Sequence, residues 1–247
     1  MTCIEDLRRV ARRKVPRAFF DYAEAGSYAQ ETLRANREDL EHIKLRQRVL
    51  VDVSQRDLTT TILGERVSLP LALAPIGLCG MQHGDGEILA CRAAQAAGIP
   101  FTLSTMSICS IEDVAQAVDK PFWFQLYVMK DRGFIRALIE RAAAAKCSAL
   151  VLTLDLQVLG QRHCDIRNGM TVPPQIKLGN LIDIATKPAW ALSILRGRRK
   201  TRPCAGHGER ELAGAMDRQP IRSHAELEGC RVGAQRLAGQ AHSQRHP

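Results

Sequence analysis

PFWFQLYVMKD, residues 121–131, is an apolar and aromatic-rich stretch that Gln125 and Tyr127 interrupt. The apolar run predicts a buried strand, and in an extended strand residues i and i+2 point to the same side. The amide and the phenol therefore share one direction, and buried polar groups need partners. Two interpretations stay open from this segment alone: a ligand or polar network beside the strand, or a core tyrosine bonded to backbone next to a surface glutamine.

The segments around this stretch repeat one alternation of apolar runs and helical patterns. Strands are predicted at 70–75, 99–104, 121–128 and 148–155, and helices at 86–98, 110–118 and 133–146. Apolar strands without polar alternation, separated by helices, are typical of a parallel sheet covered by helices. No Gly-x-Gly-x-x-Gly follows the first run, so the fingerprint of a dinucleotide-binding fold is missing. The pattern predicts an α/β fold of the (β/α) barrel type.

The residues before position 70 follow a different pattern. Apolar residues at helical spacing predict helices at 3–14 and 28–41, with a short helical segment at 16–26 between them. TTTILGERVSLP, residues 59–70, predicts a β-hairpin because two β-prone runs flank Gly64-Glu65. Glycine stands first in that pair, which is what a type II′ turn requires.

Composition narrows the class of protein. The chain is 45% hydrophobic and carries eight cysteines without any C-x-x-C pair, which favours reduced thiols in the cytoplasm over a disulfide framework. The first residues lack the apolar core of a signal peptide, and no run of about 18 apolar residues occurs. We therefore expect a cytoplasmic protein, with peripheral contact at the inner face of the plasma membrane left open.

The formal charge of +9 is densest in RGRRKTR, residues 196–202. Nucleic acid and an anionic membrane surface are the partners that such a cluster suggests. No aromatic residues interleave with the cations, as binding of a single strand would require, so a solvated basic loop is favoured and no nucleic acid is expected.

Polar residues stand at the carboxyl end of each predicted strand. Pro75-Ile76-Gly77 follows the first strand, Ser104 the second, Gln125 and Tyr127 end the third, and Thr153 and Asp155 end the fourth. Any one of them is explained as a turn or capping residue. Four strand ends that converge on one rim predict a site there, because barrel enzymes place their chemistry at that face.

Six ordered motifs resemble one family, the FMN-dependent 2-hydroxy-acid dehydrogenases and oxidases, and most of all the bacterial L-lactate dehydrogenases that feed the respiratory chain. They are DYAEAGSYAQETLRAN, LRQRVLVDVS, LALAPIGLCGM, GIPFTLSTMSICSIEDVA, PFWFQLYVMKDRGF and LTLDLQVLGQRHCDIRN. The resemblance runs from about residue 3 to about residue 200. It implies a TIM (β/α)8 barrel fold and FMN as cofactor, with oxidation of an L-2-hydroxy acid such as L-lactate to pyruvate.

The resemblance also implies roles for individual residues. The backbone of Pro75, Ile76 and Gly77 would line the flavin, and Ser104, Gln125 and Thr153 would hydrogen-bond it. The substrate would face Tyr22, Tyr127 and Arg162, with Tyr22 on the carboxylate. These residue types suit the ligands, because a flavin ring takes neutral amide and hydroxyl partners, whereas an anionic hydroxy acid takes phenols and a guanidinium.

The chain departs from the family pattern at several positions. Gly84 stands where proline is usual, Lys146 where glycine usually ends a helix, and Leu156-Gln157 where a proline usually follows two residues after the aspartate. We expect these changes to loosen loops near the flavin while leaving the matched contact residues in place.

The second half of the family pattern has no counterpart. The family's flavin lysine, its S-N-H-G-G motif with the histidine base, the arginine after it and its phosphate loops do not occur in these 247 residues. We therefore expect an incomplete barrel of about four β/α units, no catalytic base and an inactive, truncated form. The predicted division is 1–69 for helices and hairpin, 70–200 for the half barrel and 201–247 for a tail.

The segment 201–247 contains no Phe, Trp, Tyr or Lys, so we predict that it lacks a packed core and resembles a shifted reading frame or a disordered tail. Cys204, His207, His224 and Cys230 are spaced as zinc ligands, but the apolar residues of a zinc module are missing and no metal site is predicted. The alternative function is a non-catalytic binding protein that uses the half barrel and the basic segment. Partners implied by the resemblance are the hydroxy acid, a respiratory electron acceptor and further copies of the chain.

Overall fold

The computed structural model of the protein describes residues 1–129, 131–155, 160–171, 175 and 177–197. The helices are α1 Ile4–Lys14, α2 Arg17–Glu24, α3 Glu31–His42, α4 Gly86–Ala96, α5 Ile111–Ala117, α6 Arg132–Ala144, α7 His163–Arg167, α8 Leu178–Ala185 and α9 Pro188–Arg196. The strands are β1 Thr60–Ile62, β2 Glu65–Val67, β3 Thr102–Leu103, β4 Trp123–Tyr127 and β5 Ala149–Thr153, and a 3₁₀ helix covers Cys79–Met81.

A parallel sheet forms the centre of the molecule. Strands β3, β4 and β5 lie side by side in chain order, and each crossover is a helix, as the alternating pattern predicts. The predicted first strand is reduced to a single parallel bridge between Leu73 and Phe101. Prolines explain the loss, because Pro70, Pro75 and Pro100 have no N–H for the ladder. The described strands form one wall of a barrel and do not close it.

The hydrophobic core lies between this sheet and helices α4, α5 and α6. Phe124 and Leu126 of β4 are fully buried, and Ile111, Leu138 and Cys91 of the three helices meet them. The helix predicted at 110–118 begins with a capping box. Ser110 Oγ accepts from Asp113 N at 3.0 Å, and Asp113 Oδ2 accepts from Ser110 N at 3.2 Å. The core thus fixes β4 at the middle of the sheet.

The predicted hairpin forms, but its turn differs from the prediction. Ile62 pairs with Glu65, so the two turn residues are Leu63 and Gly64, with φ of 50° and 81°. Positive φ at both positions is the mark of a type I′ turn, whose twist matches that of the strands. The type II′ turn at Gly64-Glu65 is therefore wrong, because a leucine takes the left-handed conformation that sequence reasoning reserves for glycine.

Helices α8 and α9 pack back onto the amino-terminal helices. The Phe19 ring stacks on Trp190 with a centroid distance of 5.3 Å, and the indole N–H of Trp190 donates to Met81 O at 2.9 Å. Arg17 N donates to Asp183 Oδ2 at 2.5 Å. These contacts join α2 to α8 and α9, and α9 to the 3₁₀ helix. The predicted helix 28–41 starts only at Glu31, because Tyr28 and Gln30 have positive φ.

The structure explains what surrounds two residues that depart from the family pattern, Gly84 and Lys146. A Cβ on Gly84 would lie 2.0 Å from Ser193 O, so the missing side chain allows α9 to approach this loop. Lys146 has a φ of 57°, a conformation in which glycine is unstrained. Leu156-Gln157, the zinc candidates and the predicted tail lie outside the described residues. Within the part of the chain that is described, no helix is long and apolar enough to cross a membrane.

Candidate functional site

Three neutral side chains form a hydrogen-bonded row across the carboxyl ends of β3, β4 and β5. We call Ser104, Gln125 and Thr153 the Gln125 row. Gln125 Oε1 accepts from Ser104 Oγ at 3.2 Å, and Gln125 Nε2 donates to Thr153 Oγ1 at 2.8 Å. The parallel register places them there, since Tyr127 pairs with Thr153 and Leu103 pairs with Phe124. Both Ser104 and Gln125 are buried, so this geometry is held inside the protein.

Thr105 completes the support of this row and was not singled out from the sequence. Its amide donates to Gln125 Oε1 at 3.3 Å, and its hydroxyl donates to Gln125 O at 2.5 Å. The same hydroxyl accepts from Tyr127 N at 3.2 Å. The sequence signal that could have identified Thr105 is a second hydroxyl residue directly after Ser104, at the end of a strand. Thr105 therefore fixes both the side chain and the backbone of the Gln125 row.

A charged cluster lies between α2 and the segment after β5. We call Tyr22, Arg162 and Asp165 the Arg162 cluster. Arg162 Cζ lies 4.6 Å from the centroid of the Tyr22 ring, and Arg162 Nε lies 2.9 Å from Asp165 Oδ2. Arg162 Nη2 donates to Tyr22 O and to Ala25 O, the latter at 2.7 Å. The guanidinium thus satisfies carbonyls at the end of α2 that the helix leaves unpaired.

Burial dominates the ionisation of this cluster. Burial raises the pKa of Tyr22, while the Arg162 charge opposes the rise. Burial also raises the pKa of Asp165, with Arg162 acting against it and Asp21 adding to it. Both phenols are neutral near pH 7, because burial raises the pKa of Tyr127 as well, with smaller contributions from Tyr22 and Asp155.

Gly77 lies where the row and the cluster meet. A Cβ on Gly77 would be 3.1 Å from Met106 Cβ and 3.9 Å from Tyr22 Oη. Met106 N in turn donates to Ser104 Oγ at 3.1 Å. Pro75 and Ile76 are exposed just before Gly77, and no described contact joins their side chains to the row. Tyr22 lies next to Gly77, and Ser104 is joined to it through Met106, whereas Pro75 and Ile76 present only backbone and an open surface.

The Gln125 row suits the polar edge of a flavin ring. One Nε2 hydrogen of Gln125 and the hydroxyl hydrogen of Thr153 meet no acceptor among the described residues. Neutral donors of this kind match ring carbonyls and nitrogens without placing a charge against them. The lack of a side chain at Gly77 allows a planar group to approach the backbone closely. The residues present therefore fit FMN.

Comparison with known proteins agrees with this chemistry. The model of the FMN-dependent dehydrogenase family matches residues 11–230. The chain belongs to this family. The match extends into the segment that sequence reasoning left without a counterpart, and that segment lies outside the described residues.

Curated relatives are L-lactate dehydrogenases. The protein of Ectopseudomonas mendocina is 52% identical over 189 residues, which is 76% of this chain and 50% of the relative. That of Haemophilus influenzae is 49% identical over 197 residues, or 79% of this chain and 51% of the relative. The chain thus spans about half the length of the curated relatives it matches.

Solved structures of similar fold come from the mandelate enzymes. (S)-Mandelate dehydrogenase, described as a monotopic membrane protein, superposes with a TM-score of 0.79 at 32% identity over 90% of this chain and 60% of its own. Mandelate oxidase gives a TM-score of 0.71 at 30% identity over 94% of this chain and 60% of its own. The predicted fold class, an incomplete TIM barrel, and the predicted family are confirmed, and FMN is the family's cofactor.

Proposed function

We propose that this chain forms the first half of the flavin and substrate site of an L-2-hydroxy-acid dehydrogenase, with L-lactate as substrate and pyruvate as product. The observation that carries the proposal is the Gln125 row, which offers aligned neutral donors at a barrel rim next to Gly77. The names of relatives at 49% and 52% identity support lactate, while the mandelate enzymes are more distant at 30% and 32%.

The proposed division of roles follows the two clusters. Ser104, Gln125 and Thr153 hydrogen-bond the isoalloxazine and ribityl parts of FMN, and the backbone of residues 75–77 lines the flavin. FMN supplies the redox chemistry when bound, and the protein supplies orientation and charge placement. Tyr22, Tyr127 and Arg162 bind the substrate, with Tyr22 on its carboxylate. The Arg162 guanidinium lies over the neutral phenol of Tyr22, and a guanidinium at this position favours an anionic substrate.

Flavin binding tests the first part of the proposal. The chain is titrated into FMN and into riboflavin, and quenching of flavin fluorescence is measured. We expect both to bind with affinities within about threefold of each other, a difference of ~0.7 kcal/mol, since the contacts proposed here are to the ring and ribityl parts and not to phosphate. A chain that stays colourless and quenches neither flavin contradicts the proposal and favours the non-catalytic binding protein.

We also propose that these 247 residues alone do not turn over a hydroxy acid. They contain no S-N-H-G-G motif, and loss of a general base commonly lowers rates by roughly 10²- to 10⁴-fold. The protein is supplied with FMN, L-lactate and an artificial electron acceptor, and reduction of the acceptor is followed. Turnover at the rate of an intact relative that disappears in the variant Tyr127→Phe with Arg162→Ala would overturn this part.

Peripheral membrane contact and delivery of electrons to a respiratory acceptor belong to the same proposal, as does assembly into a homo-oligomer. Helices α8 and α9 expose Leu178 at 74% and Leu195 at 67%, directly before the basic segment 196–202. Apolar residues flanked by cations favour an anionic membrane surface. The membrane description of (S)-mandelate dehydrogenase supports this assignment.

Sedimentation with vesicles of anionic phospholipid tests the membrane contact. We expect Leu178→Ser with Leu195→Ser to reduce binding, because it removes the most exposed leucines of α8 and α9. Leu89→Ser on α4 is the matched control, since Leu89 is exposed at 46% and lies far along the chain from the basic segment. Equal binding of both variants and the parent chain would contradict the assignment.

A further inference from the structure

Glu87 is a buried carboxylate that the proposed function does not use. It lies in the first turn of α4 and is 1% exposed. Its Oε1 accepts two backbone hydrogen bonds, from Gly80 N and from Ile108 N, both at 2.9 Å. A single oxygen therefore fixes two amides that are 28 residues apart in the chain.

The two amides belong to two different loops of the candidate site. Gly80 is in the 3₁₀ helix that follows Pro75-Ile76-Gly77, and Ile108 lies four residues beyond Ser104. The loops touch closely, since a Cβ on Gly80 would lie 2.7 Å from Ile108 Cβ and 2.9 Å from Glu87 Oε2. Besides Glu87, the backbone bond from Leu78 N to Met106 O at 2.9 Å joins them.

The surroundings of Glu87 are apolar and contain uncharged thiols. Burial, with a further contribution from Glu87, raises the pKa of Cys79 to about 11 and raises that of Cys109 further. Oε2 of Glu87 is buried and accepts no hydrogen bond from the described residues. Burying a carboxylate among two amides and the thiol of Cys109 is costly, and an apolar side chain would fill the same space without that cost. The carboxylate therefore acts through the two amides that it holds.

We infer that Glu87 is a positioning residue that sets the distance between the backbone of residues 75–77 and Ser104, the two sides of the flavin site. The part of this inference that concerns flavin rests on the proposed function. The part that concerns the two loops does not, because it follows from the hydrogen bonds of Glu87 alone.

Amide hydrogen exchange and flavin affinity test the inference together. Glu87→Ala removes both bonds, so we expect the Gly80 and Ile108 amides to exchange about tenfold faster or more, while the Phe124 amide in β4 keeps its rate. The affinity for FMN should fall about tenfold or more as the two loops separate. Glu87→Gln keeps one acceptor oxygen. Its amide exchange rates at Gly80 and Ile108 and its affinity for FMN should therefore lie between those of the parent chain and those of Glu87→Ala.

Asp113 provides the matched control. It is also a buried carboxylate, 6% exposed, and it accepts from Ser110 N at 3.2 Å and Ser110 Oγ at 2.9 Å within the cap of its own helix. Asp113→Ala should leave the Gly80 and Ile108 amides and the FMN affinity within about threefold of the parent. If Glu87→Ala does not fold, Glu87→Gln is compared with Asp113→Asn by the same two measurements.

Separate results decide the link between the two loops and the positioning role toward flavin. Unchanged exchange at Gly80 and Ile108 in the Glu87 variants, or equal acceleration in the Asp113 variants, overturns the link between the loops. Accelerated exchange with unchanged FMN affinity overturns the positioning role toward flavin. A parent chain that does not bind FMN overturns the proposed function, and the exchange rates then decide the loop link by themselves.

Discussion

The Gln125 row and the Arg162 cluster lie on either side of Gly77 but are built differently. The row joins residues 21 and 28 positions apart through neutral side chains on adjacent strands. The cluster joins Tyr22 to Arg162, 140 positions apart, and its stability depends on an ion pair and a guanidinium over a ring. The hydrogen-bonded pairing of adjacent strands fixes the geometry of the row, whereas the cluster forms only if α2 docks on the segment after β5.

This difference predicts that the two groups respond differently to substitution. The row is connected to the core through Gln125 and Thr105, so damage there should lower the stability of the sheet. The cluster joins α2 to α7, so damage there should loosen α2 and leave the sheet intact.

Gln125→Leu should have the largest effect. It leaves the Thr105 amide and the Ser104 hydroxyl without their side-chain acceptor in fully buried positions, and it leaves Thr153 Oγ1 without its donor. We expect the free energy of unfolding to fall by about 2–4 kcal/mol, measured by urea denaturation. Gln116→Leu on the exposed face of α5 is the control and should change it by less than about 0.5 kcal/mol. An equal change in the free energy of unfolding for Gln125→Leu and Gln116→Leu would show that the row is not part of the folded core.

Arg162→Ala should have a smaller effect, about 2 kcal/mol, because the Arg162 side chain is 28% exposed while that of Asp165 is 8% exposed. The substitution leaves Asp165 buried without its ion pair. Arg162→Lys keeps the charge without the planar fork and should lie between the parent and the alanine variant. Arg136→Ala, on the exposed side of α6, is the control. Faster amide exchange in α2 with unchanged exchange in β4 is expected, and the reverse order would contradict the comparison.

The two groups should also differ in pH dependence. Burial raises the pKa of Asp165 from its ordinary value of 3.8, so the folded state holds this proton more tightly than the unfolded state. The contribution of Asp165 to stability therefore decreases as pH rises above 3.8. Asp165→Asn removes this decrease, so its stability relative to the parent should rise between about pH 4 and about pH 7. Parallel curves for the two proteins would show that Asp165 does not titrate in this way, and Gln125→Leu should give no such pH-dependent difference.

Lys146→Gly should have the smallest effect and the opposite sign. Lys146 has a φ of 57° at the end of α6, outside both groups, and glycine relieves the strain of that conformation. We expect the free energy of unfolding to rise by about 0.5–1 kcal/mol in thermal or urea denaturation. The affinity for FMN should stay the same, because the register of the sheet already places the row. A changed affinity would mean that the row depends on the overall stability of the scaffold.

Local chemistry explains which parts of the fold were predictable. The capping box at Ser110 and Asp113 involves residues three positions apart, and the helix predicted from position 110 begins there. The hairpin at 59–70 was predictable from its β-prone runs, but the turn was not, because Leu63 adopts a positive φ that its side chain disfavours. The run 70–75 reads as a strand, yet its prolines leave one bridge at Leu73.

Some residues of the candidate site were likewise predictable from the sequence, and others were not. Ser104, Gln125 and Thr153 were predicted to share a rim because parallel strands end at one edge of a sheet. Thr105 and Glu87 were missed, because their function lies in backbone bonds that only the packed loops create. The resemblance implied a role for Arg162 but not its partners. Asp165 is a local partner three residues along the chain, whereas the carbonyls of Tyr22 and Ala25 become neighbours of Arg162 only after α2 has docked.

By itself, the sequence determined the order of strands and helices, the neutral residues at the strand ends and the family to which the chain belongs. These follow from apolar periodicity, capping and motif spacing, which act over a few residues. Tertiary structure alone decided that Arg162 lies over Tyr22, that Gly84 admits α9 and that one oxygen of Glu87 holds two loops. Such contacts join residues far apart in the chain, and their geometry is fixed only when burial of the core has brought them together.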